Sequence, residues 1–213
     1  MNPRTFIAFG DSTTAPRGPL VIYADHLRQQ FPHDRVLNAG VGGSHTDQAR
    51  SRFEQDVLAH RPDLVIIQFG INDAAVDVWM NPPATEPRIP LDRFEDNLGY
   101  FLDRLRDAGA SALLATPNPL TWTPQSKARY GKPPCDPDDP DGFNLVLKRY
   151  VAAVRRLAEA RGASLVDVEA AFRGFGAQAG QSIDNLLLDG MHPNDAGHRL
   201  IAGLLVDEIR RMI

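Results

Sequence analysis

The sequence predicts an α/β protein, a three-layer α/β/α sandwich built on a five-stranded parallel sheet. Three observations predict it. Five short apolar runs recur along the chain, amphipathic segments of helical period lie between them, and two of those segments stop on a glycine. Short runs rich in Val, Ile, Leu and Phe suit strands buried on both faces, and strands separated by helices imply right-handed parallel crossovers.

Taken in order, the first strand is expected over Thr5–Phe9, where the apolar run Phe6–Phe9 leads straight into Gly10. A signal peptide would need a basic start, a longer apolar run and a small-residue cleavage site before the domain, so this run is expected to be a strand. A helix follows over Leu20–Phe31, with Val21, Ala24, Leu27 and Phe31 on one face and Pro19 suited to its first turn. Arg35–Asn38 is the second strand, Thr46–His60 the second helix and Leu64–Phe69 the third strand. Leu91–Ala108 and Phe143–Arg161 are helices closed by Gly109 and Gly162, which suit left-handed caps. Ala112–Thr116 and Ser164–Val168 complete the sheet, and Asn194–Met212 is the last helix.

Two stretches break this rhythm. Pro117–Asp141 carries seven prolines in 25 residues, which excludes a continuous helix, and Ala74–Pro90 is a shorter excursion. Both leave C-terminal strand ends, so both are expected to overhang the same rim. Ligands of open parallel sheets bind at that rim, where the strand order reverses.

The 213 residues favour one domain, residues 1–213. With 43% hydrophobic and 23% charged residues the chain has the balance of an ordinary globular protein. A net charge of -4 offers no attraction for nucleic acid or an anionic membrane, and no stretch approaches the roughly 20 apolar residues of a membrane span. Cys135, alone of its kind, has no internal disulfide partner. A cytoplasmic location is the default expectation; the oligomeric state is left open.

Three motifs follow strand ends and a fourth precedes the last helix. Gly10-Asp11-Ser12-Thr13 closes the first strand; its plain reading is turn and cap chemistry. Asn38-Ala39-Gly40-Val41-Gly42-Gly43-Ser44-His45-Thr46 follows the second, with glycines that let backbone N–H groups approach a ligand. Gly70-Ile71-Asn72-Asp73 follows the third, and the Asn72 amide is a neutral donor for a developing oxyanion. Asp189-Gly190-Met191-His192-Pro193 precedes the last helix. Gly190 eases a turn that would let Asp189 hold one ring nitrogen of His192 while the other faces a serine. Each motif alone is also ordinary loop chemistry.

In this order the four motifs resemble the GDSL or SGNH hydrolase family, over residues 10 to 192. The resemblance implies the flavodoxin-like SGNH hydrolase fold and a serine esterase. It places the nucleophile on Ser12, the triad acid on Asp189 and the base on His192. The oxyanion hole falls on Ser12, Gly43 (with Gly42 as the alternative) and Asn72. Thr13 stands where the family's namesake leucine would be, which is similar to carbohydrate acetylesterases of the family. The implied substrate is a short, acetyl ester of a carbohydrate or other polar alcohol, with an acyltransferase, broad lipase or thioesterase as alternatives on the same triad. Thr13, Gly42, Gly43, Ser44 and Asn72 suggest a tight, hydrated acyl site. His45, Trp122, Arg129 and Tyr130 are candidate substrate contacts, against solvation for His45 and loop packing for Trp122.

No cofactor and no metal are expected. Asp11, Asp73, Asp189 and His192 could in principle converge on divalent ions, as in a metal-dependent phosphoesterase, but dense metal-ligand spacing is missing. A non-catalytic binding protein of the same fold is the other alternative. Asp11 and Asp73 are expected to brace their turns, His198 to be structural and Cys135 to take no part in catalysis.

Overall fold

The computed structural model describes residues 3–213. Five strands, β1 (Thr5–Gly10), β2 (Arg35–Gly40), β3 (Leu64–Gln68), β4 (Ser111–Ala115) and β5 (Ser164–Val166), form one sheet in the order β2-β1-β3-β4-β5. Every neighbouring pair is parallel. The expected α/β/α sandwich is therefore observed. Its order reverses between β1 and β3, so the crevice of the fold opens beyond Gly10 and Gln68.

Eight α-helices accompany the sheet among the described residues: α1 (Tyr23–Gln30), α2 (Thr46–Asp56), α3 (Ile71–Ala74), α4 (Leu91–Asp107), α5 (Pro124–Tyr130), α6 (Leu147–Arg161), α7 (Val168–Gly176) and α8 (Asp195–Met212). Alternation of side chains along the strands divides the core in two. Ile7, Phe9, Val65, Ile67 and Leu114 point to one face, packed on Phe53 of α2, Phe101 of α4 and Val151 of α6. Phe6, Ala8, Ile66, Leu113 and Val166 point to the other, packed on Leu27 of α1, Phe172 of α7 and Leu205 of α8.

Several boundaries differ from expectation for local reasons. The first helix begins at Tyr23 and not at Leu20, because the Asp25 carboxylate takes the Ile22 N–H at 3.2 Å and caps the helix there. Pro19 thus stays in the preceding turn. The α6 helix begins at Leu147, since Phe143 and Asn144 lie in a 3-10 turn (Gly142–Asn144). There the Asn144 side chain binds both backbone groups of Leu120, at 2.8 Å each. The helix α7 was not expected at all. Gly109 and Gly162 do take left-handed conformations after α4 and α6. Beyond Gly109, the Ala110 N–H reaches back to Leu105 O at 2.9 Å and closes the helix end.

The two irregular stretches meet over the rim. Helix α5 interrupts the proline-rich one, with Pro124 in its first turn and Thr123 accepting from Ser126 N–H. From its end Arg129 lies over the ring of Trp79, 4.2 Å from the centroid, in the stretch between α3 and α4.

Candidate active site

The residues singled out after β1, β3 and before α8 converge at the reversal point of the sheet. Ser12 leaves β1 in a tight turn built by Asp11. The buried Asp11 carboxylate accepts the Thr13 N–H and hydroxyl, both at 2.9 Å, while its carbonyl takes the N–H groups of Thr14 and Ala15. Gly10 is required beneath this turn, since a Cβ there would stand 2.1 Å from Thr14 Oγ1.

Ser12 Oγ lies 3.0 Å from His192 Nε2, and His192 Nδ1 lies 2.8 Å from Asp189 Oδ2. The other Asp189 oxygen accepts the N–H groups of Met191 at 3.1 Å and His192 at 2.9 Å. Partial burial alone would raise the Asp189 carboxyl. The backbone and side-chain hydrogen bonds from His192 outweigh it and hold the group below its ordinary range. Gly190 makes the intervening turn possible: its φ is 78° and an added Cβ would lie 2.5 Å from Thr121 O. The proline-rich stretch packs against this turn, with Thr121 N–H on Gly190 O at 2.8 Å and the Asn118 amide on Met191 O at 2.9 Å.

The loops after β2 and β3 reach the turn that carries Ser12, with the Val41 N–H on Gly10 O at 3.1 Å and the Asn72 amide beside Asp11. Gly43 is exposed with φ of 74°, and among the described residues neither its N–H nor that of Ser12 has an acceptor in the protein. The Asn72 amide nitrogen lies 3.2 Å from Ser44 O and 3.4 Å from Asp11 Oδ2. Two groups expected to line a polar acyl site do not reach one. Thr13 is buried on Asp11, with Gln68 3.3 Å away, and Ser44 is buried beneath its loop. The pocket that borders Asn72 is instead mainly apolar, about 50 Å³, walled by Ile71, Ala74, Leu120, Phe143 and Met191.

The four candidate substrate contacts part company. Tyr130 lines that pocket beside Arg88. Arg129 is exposed but stacked on Trp79. Trp122 lies flat on Phe143, with centroids 4.4 Å apart, and its indole N–H donates to Asp139 O, so one face is taken up by loop packing. His45 caps α2, its Nδ1 accepting the Gln48 N–H at 3.5 Å, and burial pushes its pKa down.

Two carboxylates that a two-metal site would recruit turn inward. Asp11 is 1% and Asp73 0% exposed; Asp11 Oδ1 accepts from Thr13 and Asp73 Oδ1 from Thr46, while Asp73 Oδ2 is buried without a hydrogen-bond partner among the described residues. Burial pushes Asp73 up to about 7 despite two hydrogen bonds from Thr46. Cys135 is half-buried in the wall of the apolar pocket. No group of three or more His, Cys, Asp or Glu side chains among the described residues is arranged to hold a metal.

Several neighbours of the site were missed from sequence. Gln68 is buried at the end of β3 and donates to Thr116 O at 3.1 Å; a lone polar residue in the run Leu64–Phe69 was its signal. Arg52 donates to Ala39 O and Gly10 O at 2.7 and 3.0 Å, binding the ends of β2 and β1. Arg88 donates to Asn72 Oδ1 at 3.3 Å, and no motif marks it.

The chain is similar to known proteins in sequence and in fold. The chain is 40% identical over 126 residues to the uncharacterized lipoprotein YqeF of Bacillus subtilis (strain 168), covering 54% of this chain and 48% of that protein. The match thus spans about half the length of that relative. It is 28% identical over 178 residues to an acetylxylan esterase of Geobacillus stearothermophilus, covering 82% of this chain and 72% of the relative. The crystal structure of the acetylxylan esterase Axe2 from that organism superposes with a TM-score of 0.75 at 26% identity, over 97% of this chain and 94% of the other. Residues 8–200, which run from within β1 into α8 and include all four motifs, match the model of one family. The chain belongs to the GDSL-like Lipase/Acylhydrolase family.

Proposed function

We propose that this chain is a serine esterase that removes a short acyl group, acetyl foremost, from a carbohydrate or similar polar alcohol. The observation that carries the reading is the run of contacts Ser12 Oγ to His192 Nε2 at 3.0 Å and His192 Nδ1 to Asp189 Oδ2 at 2.8 Å, in a member of an acylhydrolase family.

The chemistry follows from that arrangement. Ser12 Oγ attacks the ester carbonyl as His192 Nε2 takes its proton; Asp189 holds the ring so that Nε2 faces the serine and stabilises the imidazolium. The carbonyl oxygen becomes an oxyanion that the N–H groups of Ser12 and Gly43 and the Asn72 amide can stabilise, about 3 kcal/mol for one such donor. His192 returns the proton to the leaving alkoxide, which departs as the alcohol. Water, deprotonated by His192, then attacks the acyl-enzyme; Ser12 recovers its proton and the acid is released.

Size supports the short acyl group. A pocket of about 50 Å³ beside Asn72 suits two or three carbons, given that a cavity of roughly 150 Å³ admits benzene. The carbohydrate half rests on the other side of Trp122, where an open groove of about 760 Å³ is lined by Trp122, Lys127, Asp138, Arg173, Gln181 and Asp184. Thr121 lines the same groove and is bonded to the Asp189–His192 turn, so the groove borders the site. Mixed donors, acceptors and an aromatic face suit a polyhydroxylated ligand. The relatives include a protein named as an acetylxylan esterase, which agrees with that substrate class.

The test is hydrolysis of a short activated ester and of acetylated xylo-oligosaccharides by the wild type, Ser12→Ala and His192→Ala. Each substitution should remove nearly all turnover, and the double variant should be scarcely worse than either, because the groups act as one unit. Full activity in either single variant overturns the assignment. Turnover of the simple ester without release of acetate from the oligosaccharides removes the carbohydrate half alone.

A further inference from the structure

We infer that Arg88 fixes the orientation of the Asn72 amide and is a positioning residue for the oxyanion hole; this rests on the esterase reading of the site. Arg88 belongs to the stretch between α3 and α4. Its Nη1 donates to Asn72 Oδ1 at 3.3 Å, while Nε and Nη2 grip both Asp77 oxygens at 2.9 and 2.7 Å. Both partners of this pair are mostly withdrawn from solvent, with side chains 27% and 16% exposed.

The reason for such a clamp lies in the shape of an amide. Its oxygen and its NH₂ are nearly the same size, so packing alone scarcely distinguishes two orientations related by a half-turn. An oxyanion hole works with only one of them. Arg88 carries hydrogen-bond donors and no acceptor, so a flipped Asn72 would set NH₂ against guanidinium and lose the bond. At the opposite end Ser44 O and Asp11 Oδ2 are both acceptors, and both select the same orientation. The two ends therefore agree, and Arg88 supplies the end that no other side chain touches among the contacts of Asn72.

The contact lengths also leave a donor in reserve. Ser44 O takes one hydrogen of the Asn72 amide at 3.2 Å. The approach to Asp11, at 3.4 Å, is long beside the 2.7–2.9 Å usual for a charge-assisted N–H···O bond. That hydrogen is weakly engaged and available to a developing oxyanion. A cation on the amide oxygen polarises the group and strengthens its N–H donors. Asp77 meanwhile balances the charge of Arg88; the guanidinium's hydrogen bonds hold the Asp77 carboxyl below its ordinary range.

The experiment is a double-mutant cycle on an acetyl ester, with Arg88→Met and Asn72→Ala singly and together. Arg88→Met should lower kcat about 10-fold with KM within about 2-fold, because the donor acts mainly in the transition state. In the Asn72→Ala background the same change should cost less than about 2-fold, and Arg88→Lys should restore part of the loss. A rise in KM with kcat intact, or full multiplication of the two effects, overturns the proposal, since Arg88 would then act without Asn72. Asp77→Asn, which spares the guanidinium, should give a smaller kcat loss and stands in should Arg88→Met fail to fold. The side-chain amide resonances of Asn72 read the same proposal without turnover. They should be a single sharp pair in the wild type and broadened or doubled in Arg88→Met. An unchanged pair overturns the positioning role even if no ester is hydrolysed.

Discussion

Asp73 Oδ1 accepts both the backbone N–H and the hydroxyl of Thr46, at 2.8 and 2.5 Å, and so ties the loop after β2 to the turn after β3. Gly43 stands three residues before one anchor and Asn72 one residue before the other. The Asn97 amide of α4 adds a second bond to the Thr46 hydroxyl at 3.1 Å, and the whole cluster is buried. Separate loops thus carry the proposed oxyanion donors, and one carboxyl group sets their spacing.

That tie is testable with a near-isosteric change. Thr46→Val keeps the backbone N–H on Asp73 but removes the hydroxyl, leaving Asp73 and Asn97 each short of a partner in a buried site. The loss should be about 2 kcal/mol of stability, within the range for a buried hydrogen bond to an ionisable group. It should also lower kcat more than KM is changed, because Gly43 and Asn72 lose register. Thermal unfolding together with steady-state rates measures both; an unaltered kcat in a destabilised variant would confine the tie to folding.

Asn72 itself should separate binding from chemistry. Asn72→Ala is expected to reduce kcat about 100-fold with little change in KM, since the amide is needed where negative charge develops. Should KM rise while kcat holds, Asn72 binds the ground state and the oxyanion assignment is wrong.

A different group governs stability in acid. His198 on α8 is 2% exposed, and its Nδ1 accepts the Tyr23 N–H at 3.3 Å. Burial pushes its pKa down to about 4; His26 and Arg17 act in the same direction against Asp195 and Asp25. An unfolded chain takes up that proton near 6.5, so it binds more protons than the folded one between these values. The contribution of neutral His198 is therefore complete above about pH 6.5 and lost as the pH falls to about 4, on the order of 3 kcal/mol at most. His198→Asn keeps an acceptor for Tyr23 and removes the titration, so the slope of unfolding free energy over this window should flatten. An identical slope in wild type and variant would assign the acid sensitivity elsewhere.

What was legible in the sequence had local causes. The strands showed themselves because burial on both faces demands unbroken apolar runs, and Gly109 and Gly162 because left-handed caps exclude most other residues. The strand-end motifs were readable because tight turns and backbone approach restrict residue choice. Long-range partners were not. Arg88 meets Asn72 only because its stretch folds back over the rim, and no spacing between them announces it. Trp122 and Phe143, 21 residues apart, stack face to face, so loop packing takes one side of a ring expected as a candidate substrate contact. Helix α7 hid for another reason. Val168 and Phe172 carry its apolar face, but Gly174 and Gly176 weaken the helical pattern, and the Arg155–Glu169 ion pair that ties it to α6 is tertiary.

The acyl limit follows from the pocket's walls. Phe143 is 7% exposed and stacks with Trp122 at 4.4 Å and with Tyr130 at 5.7 Å between ring centroids. Phe143 and Tyr130 wall the space that begins at Asn72, together with Leu120 and Leu147. Wherever an apolar groove receives a lengthening chain, each methylene gains about 0.8 kcal/mol, so an open groove would make kcat/KM climb from acetate towards octanoate. A small pocket walled by packed rings reverses this, because added carbons must displace those rings at a cost of about 1–3 kcal/mol. The wild type should therefore show kcat/KM falling beyond butyrate. Phe143→Leu removes part of the stack while keeping an apolar side chain, and it should move the optimum one or two carbons longer, with folding checked by its melting transition. An optimum at eight carbons or more in the wild type would remove the short-acyl reading and leave the Ser12–His192–Asp189 chemistry untouched. A lengthened optimum in Phe143→Leu, with acetate turnover retained, would identify this stack as the wall that sets the limit.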